Sequence, residues 1–293
     1  MKKTKMRITS LIITLTTMSL SSCFQPDSAN GQKLTNALIK SEKIIYYNIG
    51  ILKNERSYGF GRDVFNEYDR NGNMLKESII LVEEDNKKET INLSSVSNYK
   101  DGKLSKVVNF SVIKGGVKKE ELIFSYQKDG RLEKEECKAF EDGKEVLNKK
   151  CNYTTYTYAK NETANIFVFD EPTKTFKLFS RTIKEFDNRK NLIKSTDYDE
   201  KNEPYLFEIK TYNVKNLLVT DKRKSEFMDL YVTYLYNENG DVIKSTSKTA
   251  EVNYSYKYDD YGNWIEKTEK TTMKDGEIDN NYLIKRTIEY YSL

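Results

Sequence analysis

The chain contains no histidine. That absence removes the commonest general base and the commonest metal ligand together. Ser-His-Asp and Cys-His nucleophilic arrangements are excluded, and so are the usual zinc sites of hydrolases. An enzyme built from this chain would have to use carboxylates, lysine, tyrosine or a serine–lysine pair. Proline is scarce, at three residues, as is cysteine, also three, and there is a single tryptophan. The apolar run from Ile8 to Leu20 is too short to span a bilayer. No long block of one charge sign occurs; lysine and glutamate are interspersed, as on a solvated sheet face.

What is present begins with a leader. Lys2, Lys3, Lys5 and Arg7 precede the apolar run, the order of an export signal. The run ends in Leu20-Ser21-Ser22-Cys23, which resembles the lipobox of bacterial lipoproteins; the alternative is an ordinary signal peptide with a chance cysteine. The resemblance implies cleavage before Cys23, diacylation of Cys23 and attachment to a membrane through the acyl chains, two of which anchor stably where one does not. By the same resemblance Phe24, not being an aspartate, favours the outer membrane, with the side left open. The expected organisation is a signal peptide over 1–22, the acylated cysteine and a flexible tether over 23–43, and a repeat domain over 44–293. The 49 Lys and Arg exceed the 45 Asp and Glu by the four bases of the leader alone. The remaining chain is balanced, which argues against a nucleic-acid partner.

From Ile44 onward the chain is rich in Tyr, Ile, Val, Thr and Phe and punctuated by Asp-Gly and Asn-Gly, the pattern of strands and hairpins. Alternation is clear in Leu230–Tyr236 and in Tyr254-Ser255-Tyr256-Lys257-Tyr258. The turns repeat. Tyr68-Asp69-Arg70-Asn71-Gly72-Asn73-Met74-Leu75 aligns with Tyr236-Asn237-Glu238-Asn239-Gly240-Asp241-Val242-Ile243 and with Tyr258-Asp259-Asp260-Tyr261-Gly262-Asn263-Trp264-Ile265. A copy at Phe186–Lys194 has lost the glycine, and shorter forms occur at Tyr99–Leu104 and Tyr126–Leu132. An aromatic closes one strand, Asp or Asn bonds its own backbone, Gly takes φ > 0, and an aliphatic residue opens the next strand. Cys137 and Cys151 flank a further turn at Glu141–Glu145. In an oxidising compartment a hairpin there would make them a disulfide; two free thiols are the alternative.

The Tyr-Asp-x-x-Gly-Asn units resemble the YD repeat of bacterial RHS-type proteins, and the small lipoproteins that carry degenerate YD-type hairpins. That likeness specifies a fold element rather than an activity. The expected fold is all-β: an antiparallel meander of YD-type hairpins forming a long twisted or curled sheet, in one layer or two. The Asp/Asn-Gly turns do not have calcium-loop spacing, and no metal or cofactor is expected. Tyr254, Tyr256, Tyr258 and Trp264 form a candidate aromatic binding surface, weighed against plain packing within a sheet. Acids such as Glu135, Glu136, Asp197 and Asp199 could serve a glycan hydrolase only if two faced each other across a cleft. The expected function is a non-enzymatic, envelope-anchored binding or scaffolding module with a glycan, lipid or protein ligand. The alternatives are a periplasmic carrier of hydrophobic ligands and an immunity or accessory protein of an RHS-type effector.

Overall fold

The computed structural model describes residues 38–48, 55–56, 63–82, 89–113, 116–141, 143–146, 152–158, 161–170, 172–274 and 278–292. Cys23 and Cys151 lie outside the described residues. The described chain is a succession of strands: β1 (Ile39–Asn48), β2 (Glu55–Arg56), β3 (Val64–Tyr68), β4 (Met74–Val82), β5 (Glu89–Lys100), β6 (Lys103–Ile113), β7 (Gly116–Tyr126), β8 (Leu132–Glu141), β9 (Lys144–Val146) and β10 (Asn152–Tyr158). It continues through β11 (Glu162–Asp170), β12 (Thr175–Phe186), β13 (Leu192–Tyr198), β14 (Pro204–Tyr212), β15 (Leu218–Ser225), β16 (Asp229–Tyr236), β17 (Val242–Thr246), β18 (Ala250–Tyr258), β19 (Trp264–Met273) and β20 (Ile278–Tyr290). All pairings are antiparallel.

The expected open sheet is corrected in one respect. β20 pairs with β1 from Ile39 opposite Tyr290 to Asn48 opposite Tyr282, and β1 pairs on its other side with β3. The pairing then runs strand by strand from β3 to β8, across to β10 and on to β20, so eighteen strands close into a barrel. β2 and β9 are short additions to β1 and β8. Closure follows from twist accumulated over many strands and leaves no long edge for another chain to pair with. The folded body also starts earlier than expected: residues 39–43, assigned above to the tether, are strand. Their partners are 65–67 and 287–290, and local sequence does not reveal pairings that remote.

The five-residue turns that open on Asp or Asn share one form, whereas Tyr99–Leu104 turns through Asp101 (φ 53°) and Gly102 (φ 74°) alone. In the first, the Asp69 carboxylate accepts from the N–H groups of Asn71 and Asn73 at 2.8 and 2.9 Å, and Gly72, at φ 80°, donates to the Asp69 carbonyl. Asp187 and Asp259 repeat this, as does Asn237 through Asp241. Where glycine is missing, Lys190 adopts φ 66° itself. Two further turns escaped the sequence reading, Asp199–Glu203 and Asn213–Leu217, in which Asn202 (φ 68°) and Asn216 (φ 62°) stand in the glycine position. Asparagine tolerates that region better than other non-glycine residues. The signal was a Tyr-Asx-x-x-Asn pattern in place of Tyr-Asx-x-x-Gly.

Seven of these connections, after β3, β5, β7, β12, β14, β16 and β18, sit at one end of the barrel, which we term the turn rim. β1 begins and β20 ends at that rim, where the Tyr291 N–H donates to the Leu38 carbonyl at 2.9 Å. Among the described residues no large side chain is completely buried. The most shielded apolar residues (Ile80, Val108, Leu122, Ala139, Ala164, Phe169 and Ile284) are spread around the wall rather than gathered at a centre.

Candidate functional site

A closed wall has two faces, and cross-strand partners sort the side chains between them. On β14, Leu206, Glu208, Lys210 and Tyr212 are half-buried, whereas Tyr205, Phe207, Ile209 and Thr211 are exposed. On β18, Tyr254, Tyr256 and Tyr258 are half-buried while Asn253, Ser255 and Lys257 are exposed. The more shielded set faces the concave interior, where curvature crowds side chains together. Followed through the register, that set also contains Glu42, Asn66, Leu122, Glu135, Tyr156, Ala164, Asp197, Asp221, Ser245, Ile284 and Arg286.

The interior is polar and internally paired. At the closing seam Glu42 of β1, only 6% exposed, accepts from Arg286 of β20 at 2.6 Å. The same carboxylate accepts from Asn66 at 3.0 Å and from the Tyr68 hydroxyl, both on β3. The Arg286 guanidinium lies 5.0 Å from the centre of the Trp264 ring. Burial pushes the Glu42 carboxyl up, but the Arg286 charge and these hydrogen bonds outweigh it and hold the carboxyl below its ordinary range. A second network joins Arg223 to Asp221 at 2.7 Å and to Glu208 at 2.9 Å, with Lys210 on Glu208 at 3.1 Å. Lys184 pairs with Glu162 at 2.7 Å. Two interior carboxyls have hydroxyl partners instead: Thr182 donates to Asp197 at 2.7 Å, and Tyr156 to Glu135 at 3.4 Å. Burial raises both acids above the ordinary carboxylate range.

The tyrosines predicted as a binding surface are thus part of the interior wall, with their hydroxyls engaged. Tyr256 donates to the Val242 carbonyl at 2.9 Å, and Tyr258 donates to Asp241 at 2.6 Å while accepting from Asn237. Tyr254 lies beneath the ammonium of Lys267. Trp264, on β19, stands directly across from Tyr258, with the Arg286 guanidinium over its ring. Of the acids singled out, Glu135 and Asp197 are interior, Glu136 pairs with Lys134 on the opposite face of β8, and Asp199 builds a turn. Cys137 stands opposite Leu122 on β7. Among the described residues no group of three His, Cys, Asp or Glu converges as a metal site would require.

Sequence reasoning missed a ladder at the turn rim. A tyrosine at the end of a strand donates its hydroxyl to a carbonyl at the start of the neighbouring strand: Tyr99 to Met74, Tyr126 to Leu104, Tyr158 to Leu132, Tyr212 to Leu192 and Tyr236 to Leu218, at 2.6–3.1 Å. Tyr291, just beyond β20, donates likewise to the Tyr68 carbonyl at 2.7 Å. These carbonyls lie where register shifts interrupt the ladder, so the hydroxyl satisfies a group the sheet leaves over. That bond accounts for the tyrosine before the Asn213 and Asn237 turns, whereas Tyr68 and Tyr258 donate to the carboxylates of Glu42 and Asp241.

No protein-family model matches the chain, and no curated relative matches it. Among solved structures, a porin-like protein from Bacteroides uniformis aligns over 86% of this chain and 98% of its own, at 9% identity and a TM-score of 0.44. A porin-like protein from Bacteroides vulgatus aligns over 88% of this chain and 100% of its own, at 12% identity and a TM-score of 0.26. The Photorhabdus luminescens Tc holotoxin pore aligns over 84% of this chain but 18% of its own, at 11% identity and a TM-score of 0.30. Superposition at this level transfers no function to the present chain.

Proposed function

We propose that the protein is an envelope lipoprotein whose barrel stands in water beside a membrane and acts as a non-enzymatic binding or scaffolding module. The observation that carries this reading is the chemistry of the wall. On β19, Lys267 and Glu269 occupy one face, and Glu266 and Lys270 the other. On β18 the exterior positions are Glu251, Asn253, Ser255 and Lys257. A strand that faces lipid needs an apolar outer row, and each Lys or Arg at the bilayer midplane costs about 2–4 kcal/mol. This side of the barrel is built for water on both faces, so attachment falls to the leader and Cys23, and the outer membrane is the favoured site by the lipobox resemblance. The paired charges of the interior favour a polar or hydroxyl-rich ligand over a hydrophobic cargo.

The test is metabolic labelling with an alkyne fatty acid, followed by fractionation. The native chain is expected to take the label and stay with membranes through an alkaline carbonate wash. The Cys23→Ala chain is expected to lose the label and be released by the wash. A Cys23→Ala chain that resists carbonate as the native one does would overturn the reading. Protease treatment of intact cells then assigns the side of the membrane.

A further inference from the structure

The exterior is not uniform. On β14–β16, Phe207 stands directly across from Lys224, and Ile209 across from Lys222, which in turn faces Tyr231. All five belong to one face, and Phe207, Ile209 and Tyr231 are 40%, 46% and 49% exposed. On β12, Phe176 and Leu178 share that face through Phe169 and Phe167, and Phe179 at the adjoining register shift is exposed as well. Between β15 and β16, at the rim opposite the turn rim, the hairpin tip carries Phe227, 92% exposed, followed by Met228. A few strands farther on the exterior is wholly polar, as β18 shows. Isolated exposed apolar residues are ordinary, and Ile91 and Leu93 are exposed on β5, away from β12–β16; what marks this side as a contact surface is the cluster of apolar side chains joined to an apolar hairpin tip at its rim.

We infer that the barrel meets a lipid bilayer with this side at the rim opposite the turn rim, the Phe227–Met228 tip entering the headgroup layer. Three features select lipid over a protein partner. Lys222 and Lys224 are exposed, form no ion pair among the described residues, and lie directly beside the apolar side chains; their stems can lie along the apolar layer while the ammonium groups reach phosphates. Two adjacent apolar residues raised on a hairpin tip suit a fluid medium that closes around them. Tyrosine and phenylalanine are the residues that settle at a membrane–water boundary. Glu226 and Asp229 flank the tip, so the contact is mainly apolar and is expected to survive high salt. The inference does not depend on acylation of Cys23.

The experiment places a tryptophan at Phe227 of the full chain and measures quenching by vesicles of phosphatidylethanolamine and phosphatidylglycerol brominated on the acyl chains. Val214→Trp is the control, since Val214 is 93% exposed but sits in the β14–β15 turn at the opposite rim. The native chain supplies the Trp264 background. Phe227→Trp is expected to shift to shorter wavelength and to be quenched several-fold more than Val214→Trp, in the Cys23→Ala background too. Equal quenching at the two positions would overturn the inference. So would a concentration-dependent blue shift of Phe227→Trp without vesicles, which would assign the patch to a second copy of the chain. Native-like circular dichroism of both variants verifies folding.

Discussion

Glu42 is the residue on which the closing seam turns, because it is the single acceptor for donors from both neighbouring strands. Glu42→Gln is expected to destabilise the barrel by about 3–5 kcal/mol, since it leaves Arg286 charged and unpaired in a shielded site. The Glu42→Leu/Arg286→Met pair should recover much of that loss; urea unfolding of the three variants measures both effects. The sign of the pH dependence follows from the depressed carboxyl. Its contribution is complete above the ordinary carboxylate range and disappears as pH falls through the lower folded value, so the native and Glu42→Gln curves should converge in acid. Asp197 and Glu135 act in the opposite sense. Their carboxyls are raised by burial, so they oppose folding at neutral pH, and acid relieves that opposition as pH falls through the folded values. Asp197→Asn is therefore expected to raise the urea midpoint at pH 7 and to lose that advantage in mild acid. Equal midpoints at both pH values would refute this account.

At the scale of the element, the hairpins were the part the sequence disclosed best. Asp69, Asp187, Asn237 and Asp259 each specify a turn through bonds made within five residues, so a local reading can find them. The Asn202 and Asn216 turns were missed because the pattern was keyed to glycine. Lys190 offers a test of the turn chemistry, since it adopts a conformation that lysine resists. Lys190→Gly is expected to stabilise the barrel by up to about 1 kcal/mol, the relief of left-handed strain being partly offset by the flexibility glycine adds to the unfolded chain. Gly240→Ala should cost about 1–2 kcal/mol. A methyl group there meets nothing closer than Leu217 Cδ2 at 3.8 Å, so the cost is backbone strain and not a clash. Tyr126→Phe should cost about 1 kcal/mol by leaving the Leu104 carbonyl without its donor. Thermal unfolding ranks the three, and no change in Tyr126→Phe would mean that the ladder bond is dispensable.

For the molecule as a whole, closure was the property local sequence could not disclose. Ser41 and Glu289 pair across a separation of 248 residues, and nothing near either residue announces the other. The lining was hidden for a related reason: strands such as β19 carry charges on both faces, so period two identifies a strand without saying which side is enclosed. Because the pairing of β1 with β20 closes the wall, the two chain ends of the described body meet at the turn rim. A permutant that joins residue 292 to residue 38 through a short flexible linker and opens between Lys201 and Asn202 keeps every strand pairing of the seam. Deletion of residues 38–48 instead removes β1, leaves β3 and β20 as open edges and strands Arg286 inside the wall. The permutant is expected to retain a cooperative thermal transition and a protease-resistant body, and the deletion to lose both. A deletion that folded as well as the permutant would mean that the seam is an ornament on a sheet stable without it, and that the open, curled sheet is a sufficient description of the fold.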